Sequence, residues 1–177
     1  NHEGFWLGTE SDGVFYFALD NNNSDTLFKI GETLDLADIN IQSIIEDLNN
    51  NLWLSTFRSG VFKLENPETE FNFKKVINYN KNNGLSSNFT KDVFEDREGN
   101  IWVATYGEGL ATLLNEAFEF FSYPVEGIDN NIFSVCAGKN VMWLGGENAL
   151  LQLKYAPEFE TKIFNKLSGL PDDAISS

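Results

Sequence analysis

One cysteine, one histidine, one methionine and four prolines are spread over 177 residues. A lone thiol, Cys136, rules out an internal disulfide and a cysteine-rich metal centre. It falls in the alternating apolar run IFSVCAG (132–138), which predicts a small buried side chain rather than a reactive thiol. The one histidine, His2, is at an end of the sequence, so imidazole chemistry has no central place to operate. Positive charge is also scarce: 12 basic residues stand against 27 acidic ones, for a net charge of −15. A surface of that sign repels phosphate backbones and anionic membranes, which excludes nucleic acid and membrane contact as expected partners. No apolar run approaches the ~18 residues of a membrane-spanning helix, and no segment has a convincing helical period. A cationic leader is missing too; an export signal already removed would leave the same sequence, so the compartment is open at this point.

What the chain does have is aromatic residues, 14% of the total with 16 Phe, and a repeat. Alternating segments begin at Ile41, Phe89, Ile132 and Ala174, at intervals of 48, 43 and 42 residues. Trp6, Trp53, Trp102 and Trp143 fall at one point of each unit, followed by Thr9, Thr56 and Thr105, then by Gly13, Gly60 and Gly109. Each unit reads as four short strands. The first alternates, with Ile41, Ser43 and Ile45 set against Gln42, Ile44 and Glu46. A turn such as DLNNN or DREGN comes next, then a strand rich in β-formers, LWLST or IWVAT. A glycine turn leads to the third strand, VFKLE or LATLL, and a fourth, FNFKKVINY or FEFFSY, ends the unit.

Four strands and one aromatic anchor in ~40–50 residues is the arithmetic of a β-propeller blade. The expected fold is therefore all-β, a propeller of four-stranded antiparallel blades, here a partial one of about four. The units are 1–40 (lacking a first strand), 41–88, 89–131, 132–173 and the start of another at 174–177. Leu85, Ile128 and Leu170 recur four residues before each new first strand and are expected to plug the gap between blades, with Leu36 in the same role. Either residues 174–177 close a ring with residues 1–40, or the units belong to a larger propeller; the second reading is favoured. A plain β-sandwich would not need the repetition.

The motif GN-[IL]-W-[ILV]-x-T-x-x-x-G-[LV], with G-L-[SP]-[SD]-N later in the unit, resembles the two-component regulator propeller repeat. Asp96, Gly99, Asn100, Trp102, Thr105, Gly109 and Leu110 carry it, as do Asp47, Asn51, Trp53, Thr56, Gly60 and Val61. The first unit matches through Trp6, Gly8, Thr9, Gly13 and Val14. The fourth departs: two residues, Val141 and Met142, separate Asn140 from Trp143, Gly146 replaces the threonine, and Ala149 replaces the turn glycine one position early. The resemblance implies the periplasmic sensor region of a hybrid two-component histidine kinase, detecting a polysaccharide breakdown product. It also implies self-association through propeller edges or faces.

Strand direction puts the second-to-third turns and the blade-to-blade links on one face, the usual binding side of a propeller. Candidate ligand-binding residues there are Glu10, Asp12, Phe57, Arg58, Tyr106, Glu108, Glu147 and Asn148. The links add Asn82, Asn83, Ser86, Ser87 and Asn88, plus Asp129, Asn130 and Asn131. Aromatics beside acids, amides and an arginine suit a sugar, whose apolar face stacks on rings while amides and carboxylates bind its hydroxyls. Against this stands the plainer reading, in which the same side chains only cap turns. The acidic turns lack the ligand count of a calcium loop, so no metal and no cofactor is expected. Sequons at 22–24 and 88–90 matter only where the source glycosylates such proteins. Two other functions stay open. One is a polysaccharide-active enzyme using Glu10, Glu108 or Glu147; the other is a protein-interaction scaffold.

Overall fold

The structure is a computed structural model and describes residues 3–19, 26–30, 36, 38–65, 67–69, 72–73, 75–114, 117–121, 130–138, 140–154, 160–172 and 174–175. His2, Ile128, Asp129 and the 22–24 sequon lie outside the described residues. Blade 1 comprises β1 (Glu3–Gly8), β2 (Val14–Leu19) and β3 (Thr26–Ile30). Blade 2 comprises β4 (Ile41–Glu46), β5 (Leu52–Thr56) and β6 (Val61–Leu64). It is interrupted by the small hairpin β7 (Pro67–Thr69) and β8 (Asn72–Phe73), and closed by β9 (Val76–Tyr79). Blade 3 is β10 (Thr90–Glu95), β11 (Ile101–Thr105), β12 (Gly109–Leu114) and β13 (Ala117–Phe121). Blade 4 is β14 (Ile132–Gly138), β15 (Val141–Gly146), β16 (Leu150–Lys154) and β17 (Glu160–Phe164). Each sheet is antiparallel with its strands in chain order, as in a propeller blade. The expected fourth strand FNFKKVINY is thus two pieces, because Asn72–Phe73 pairs back on Pro67–Thr69 and only Val76–Tyr79 joins the blade.

Three cores lie between the blades rather than within them. Trp6, Val14, Ile41, Leu52, Leu54, Leu64 and Phe73 join blade 1 to blade 2. Trp53, Val61, Leu85, Val93, Val103 and Ala111 join blade 2 to blade 3. Trp102, Ala104, Leu110, Ile132, Met142, Leu144 and Leu153 join blade 3 to blade 4. Alternation along a strand explains this: Trp53 faces forward, whereas Leu52 and Leu54 face back. Leu36 and Leu85 are buried as plugs, but Leu170 is only partly covered.

Every first strand carries the same β-bulge. Ile41 pairs with Thr56 but Ser43 pairs with Ser55, so Gln42 is skipped. In the same way Lys91 is skipped between Thr90 and Asp92, and Phe133 between Ile132 and Ser134. The equivalent positions are therefore Ile41, Thr90 and Ile132, one residue away from Phe89, where the sequence alone placed the third unit's start. The bulge also breaks the expected alternation. Ile41 and Ile44, three apart, share one core, while Ile45 packs in the next.

Cys136 is exposed, contrary to expectation. It pairs with Trp143, as Ile45 pairs with Trp53 and Phe94 with Trp102, so it takes the forward-facing place in blade 4. Ile175 lies beside Gly145 and Gly146 of β15, the same strand as Trp143. Its N–H donates to Gly146 O at 2.9 Å, as Ile41 N–H donates to Thr9 O.

Candidate functional site

The repeat motif is turn chemistry on two opposite faces. On one face Asp47 closes the β4–β5 turn. Its Oδ1 accepts from the N–H of Asn49 and Asn51, and its Oδ2 from Asn51 Nδ2 and Trp53 Nε1, all at 2.8–2.9 Å. Asp96 repeats this with Glu98, Asn100 and Trp102. The spacing Asp-x-x-x-Asn-x-Trp is what one carboxylate needs to cap a loop and satisfy a buried indole together. With four donors on each carboxylate, its oxygens are committed to the turn. Burial alone would raise the Asp47 pKa, but the bonds from Trp53, Asn51 and Asn49 outweigh it and hold the carboxyl below its ordinary value. Glu95 extends from β10 to take the Leu48 N–H at 2.8 Å. Its pKa is raised, chiefly by burial and further by the charges of Asp47 and Asp96, against the Leu48 hydrogen bond. Blade 4 lacks the aspartate, and a tight turn joins Gly138 to Val141. Asn140 takes the left-handed backbone there, as Asn50 and Gly99 do three residues before their tryptophans.

On the other face the repeat threonine staples the second-to-third turn. Thr9, Thr56 and Thr105 Oγ1 donate to the carbonyls of Gly13, Gly60 and Gly109 at 3.0, 2.7 and 2.8 Å. Blade-to-blade links meet these turns: Gly60 N–H donates to Asn88 O and Gly109 N–H to Asn130 O. The predicted residues therefore do share a face with the links.

Within that face the structure gathers some of them and not others. Phe57 and Arg58 line a cleft of about 400 Å³ with Asp38, Ile39, Asn40 and Ser59. The Phe57 ring carries the Arg58 guanidinium at 5.4 Å and the Lys91 ammonium at 5.6 Å from its centre. The Phe89 ring meets it edge-on at 5.5 Å. Lys91 Nζ donates to Gln42 Oε1 at 3.0 Å, and Gln42 Nε2 donates to Asn40 Oδ1. One blade further on, Tyr106 stacks on Phe133 at 6.2 Å and stays 47% exposed, enough to offer ring area to a ligand. Glu108 and Asn148 are exposed, whereas Glu147 accepts from Asn131 Nδ2 at 2.7 Å. Glu10 and Asp12 are exposed on the blade 1 turn, where Ser11 donates to Asp12. Among the described residues, no hydrogen bond or ring contact joins them to the Phe57 cleft.

The link residues mostly serve their own backbone. Asn83 side-chain atoms bind Asn80 N and Asn78 O, Asn88 Oδ1 accepts the Lys81 N–H, and Ser87 Oγ accepts the Phe89 N–H. Lys91, Phe133 and Gln42 were not among the sequence candidates. All three are the bulge residues, and each reaches the rim: a bulge re-aims the side chain that it expels from the ladder. The readable signal was the doublet Ile-x-Ser or Thr-x-Asp at each strand start, which ordinary alternation obscures.

Stacked antiparallel sheets, one of three described strands and three of four, with cores between them define a β-propeller. Residues 84–107 match the family model of the two component regulator propeller. Among solved structures it is similar to the extracellular domain of a hybrid two component system of B. thetaiotaomicron. The TM-score is 0.79 and the identity 26%, over 97% of this chain and 23% of that one. A one component system of the same organism gives a TM-score of 0.70 and 18% identity for its extracellular domain, over 92% and 23%. PorZ, a surface component of the type-IX secretion system of Porphyromonas gingivalis, gives 0.60 and 18%, over 78% and 23%. The chain thus spans about a quarter of the length of these proteins. A search of curated proteins by sequence found no match. Among the described residues no helix is long and apolar enough to cross a membrane.

Proposed function

We propose that this propeller is the ligand-sensing extracellular part of a two-component signalling receptor, that it binds an oligosaccharide, and that the full-length polypeptide carries a periplasm-facing sensor and a histidine kinase. The observation that carries the reading is the contrast between frame and rim. In blades 2 and 3 Asp, Trp, Thr and Gly make the same hydrogen bonds, whereas the turn side chains, and the bulge side chains of blades 2, 3 and 4, differ from blade to blade. Variable side chains on a repeated scaffold are how propellers and other repeat folds build binding faces. The Phe57 cleft supplies acceptors in Asp38 and Asn40 and a donor in Arg58, and Tyr106 supplies a ring. Thermal shift of the intact protein against a library of neutral and acidic glycan fragments tests this. A folded protein whose melting no fragment moves would sink the saccharide reading.

Self-association is part of the same proposal. Phe5, Leu7 and Leu27 are 47%, 39% and 53% exposed on the backward face of blade 1, more apolar area than a solvated flank would carry. Light scattering of the intact protein over a range of concentrations tests it, and a monomer throughout would refute it.

A further inference from the structure

We propose that the Phe57 cleft is a subsite for the negatively charged group of an acidic sugar, a carboxylate or a sulfate, recognised by Arg58 together with Lys91. This rests on the saccharide reading above and adds the class of saccharide. The chain has 12 basic residues against 27 acidic ones, yet two of the 12 converge on a single ring. The repeat does not demand either. The positions equivalent to Lys91 are Gln42 and Phe133, and those equivalent to Arg58 in the neighbouring turns are Ser11 and Gly107.

Neither charge is neutralised by an acid among the described residues. Lys91 is held by the neutral amide of Gln42, and Asp38 lines the cleft without forming an ion pair with Arg58. The Phe57 quadrupole attracts both cations and offsets part of the repulsion between them. An anion bound there would relieve the remainder. Arginine's planar fork suits a carboxylate or sulfate through paired hydrogen bonds, and lysine adds a point charge. Asp38 and Asn40, also lining the cleft, offer oxygen acceptors to sugar hydroxyls, and Ile39 offers the ring carbons an apolar surface. Hydroxyls and one anionic group on a single small ligand describe an acidic sugar. A cleft of about 400 Å³ is within the range of small-ligand pockets.

Calorimetric titration of the intact protein with three probes decides the matter: a galacturonic acid trimer, its methyl ester, and a sulfated carrageenan oligosaccharide. The ester removes the charge and adds only a methyl group to each carboxyl. The expected result is at least about tenfold tighter binding of a charged probe than of the ester, weakening as salt is raised. Arg58→Gln and Lys91→Met each remove about tenfold of that preference and leave the ester unaffected, while Arg58→Lys keeps part of it. Comparison of the acid and sulfate arms identifies the group. If acid and ester bind alike, or both variants keep the preference, the charge inference is overturned while the saccharide reading stands. If none of the three binds, the charge inference is likewise overturned, and the neutral fragments of the library judge the saccharide reading separately. Both residues are partly or fully exposed, so melting curves matching those of the parent exclude misfolding as the cause.

Discussion

Replacing Asp47 with alanine removes the acceptor for four donors at once, and their burial decides which of them matter. The N–H of Asn49 is on an exposed turn and recovers a bond to water. Trp53, 1% exposed, and Asn51, 8% exposed, cannot. Leaving a buried donor unpaired costs about 1–3 kcal/mol each, so the variant should lose about 4 kcal/mol. Asp47→Asn keeps one acceptor oxygen and should lose about half as much. Urea unfolding monitored by tryptophan fluorescence measures both, with an early transition expected in Asp47→Ala because the blade 2–blade 3 core gives way first. The sign of the pH effect comes from the lowered pKa. Ionised Asp47 contributes stability fully above its unfolded value, and that contribution is lost as pH falls through the depressed folded value. Asp47→Ala should therefore be less sensitive to acid than the parent. A loss under about 1 kcal/mol with an unchanged acid profile would refute the account of the motif as a buried-indole cap.

Glu95 should behave in the opposite sense. Its raised pKa means that ionisation opposes folding as pH rises through the folded value, so Glu95→Gln should raise the melting temperature at pH 7 and lose that advantage in acid. Melting curves at both pH values check this. Ser55 Oγ is buried without a hydrogen-bond partner at a place where blade 3 has Ala104. Ser55→Ala should be neutral or stabilise by up to about 1 kcal/mol, measured by the same unfolding assay. Gly60 has φ +78°, and a Cβ there would lie 2.1 Å from Tyr79 O. Gly60→Ala should cost about 3 kcal/mol or more, and a melting temperature within a degree of the parent would contradict the turn geometry.

The blade was legible because its signals are local. Aspartate, left-handed Asn or Gly, tryptophan, threonine and glycine stand at fixed offsets, and each makes a bond within a few residues. That the second-to-third turns sit beside the blade-to-blade links was legible for the same reason, since strand direction decides which turns meet which links. The bulge was not. A residue expelled from a ladder looks in sequence like one more step of the alternation, so Ile41, Ser43 and Ile45 read as one face when Ile41 and Ile44 share a core. Cys136 was misplaced because its run is apolar, whereas its exposure is set by how much packs on the forward face of blade 4. Arg58 was visible as a candidate; the approach of Lys91 from the next blade to the Phe57 ring was not, because nothing local relates residues so far apart.

The repeated bulge separates two jobs that strands normally combine. In a regular ladder, changing a residue alters either a core or a solvated face, and adding one would invert every position beyond it. Gln42, Lys91 and Phe133 belong to neither, so one can be exchanged for another without disturbing blade parity or the cores. Blades 2, 3 and 4 thus each present an interchangeable socket beside a turn. Duplication of blades multiplies sockets, so new recognition surfaces can arise by reshuffling side chains on a frame that does not have to be refolded.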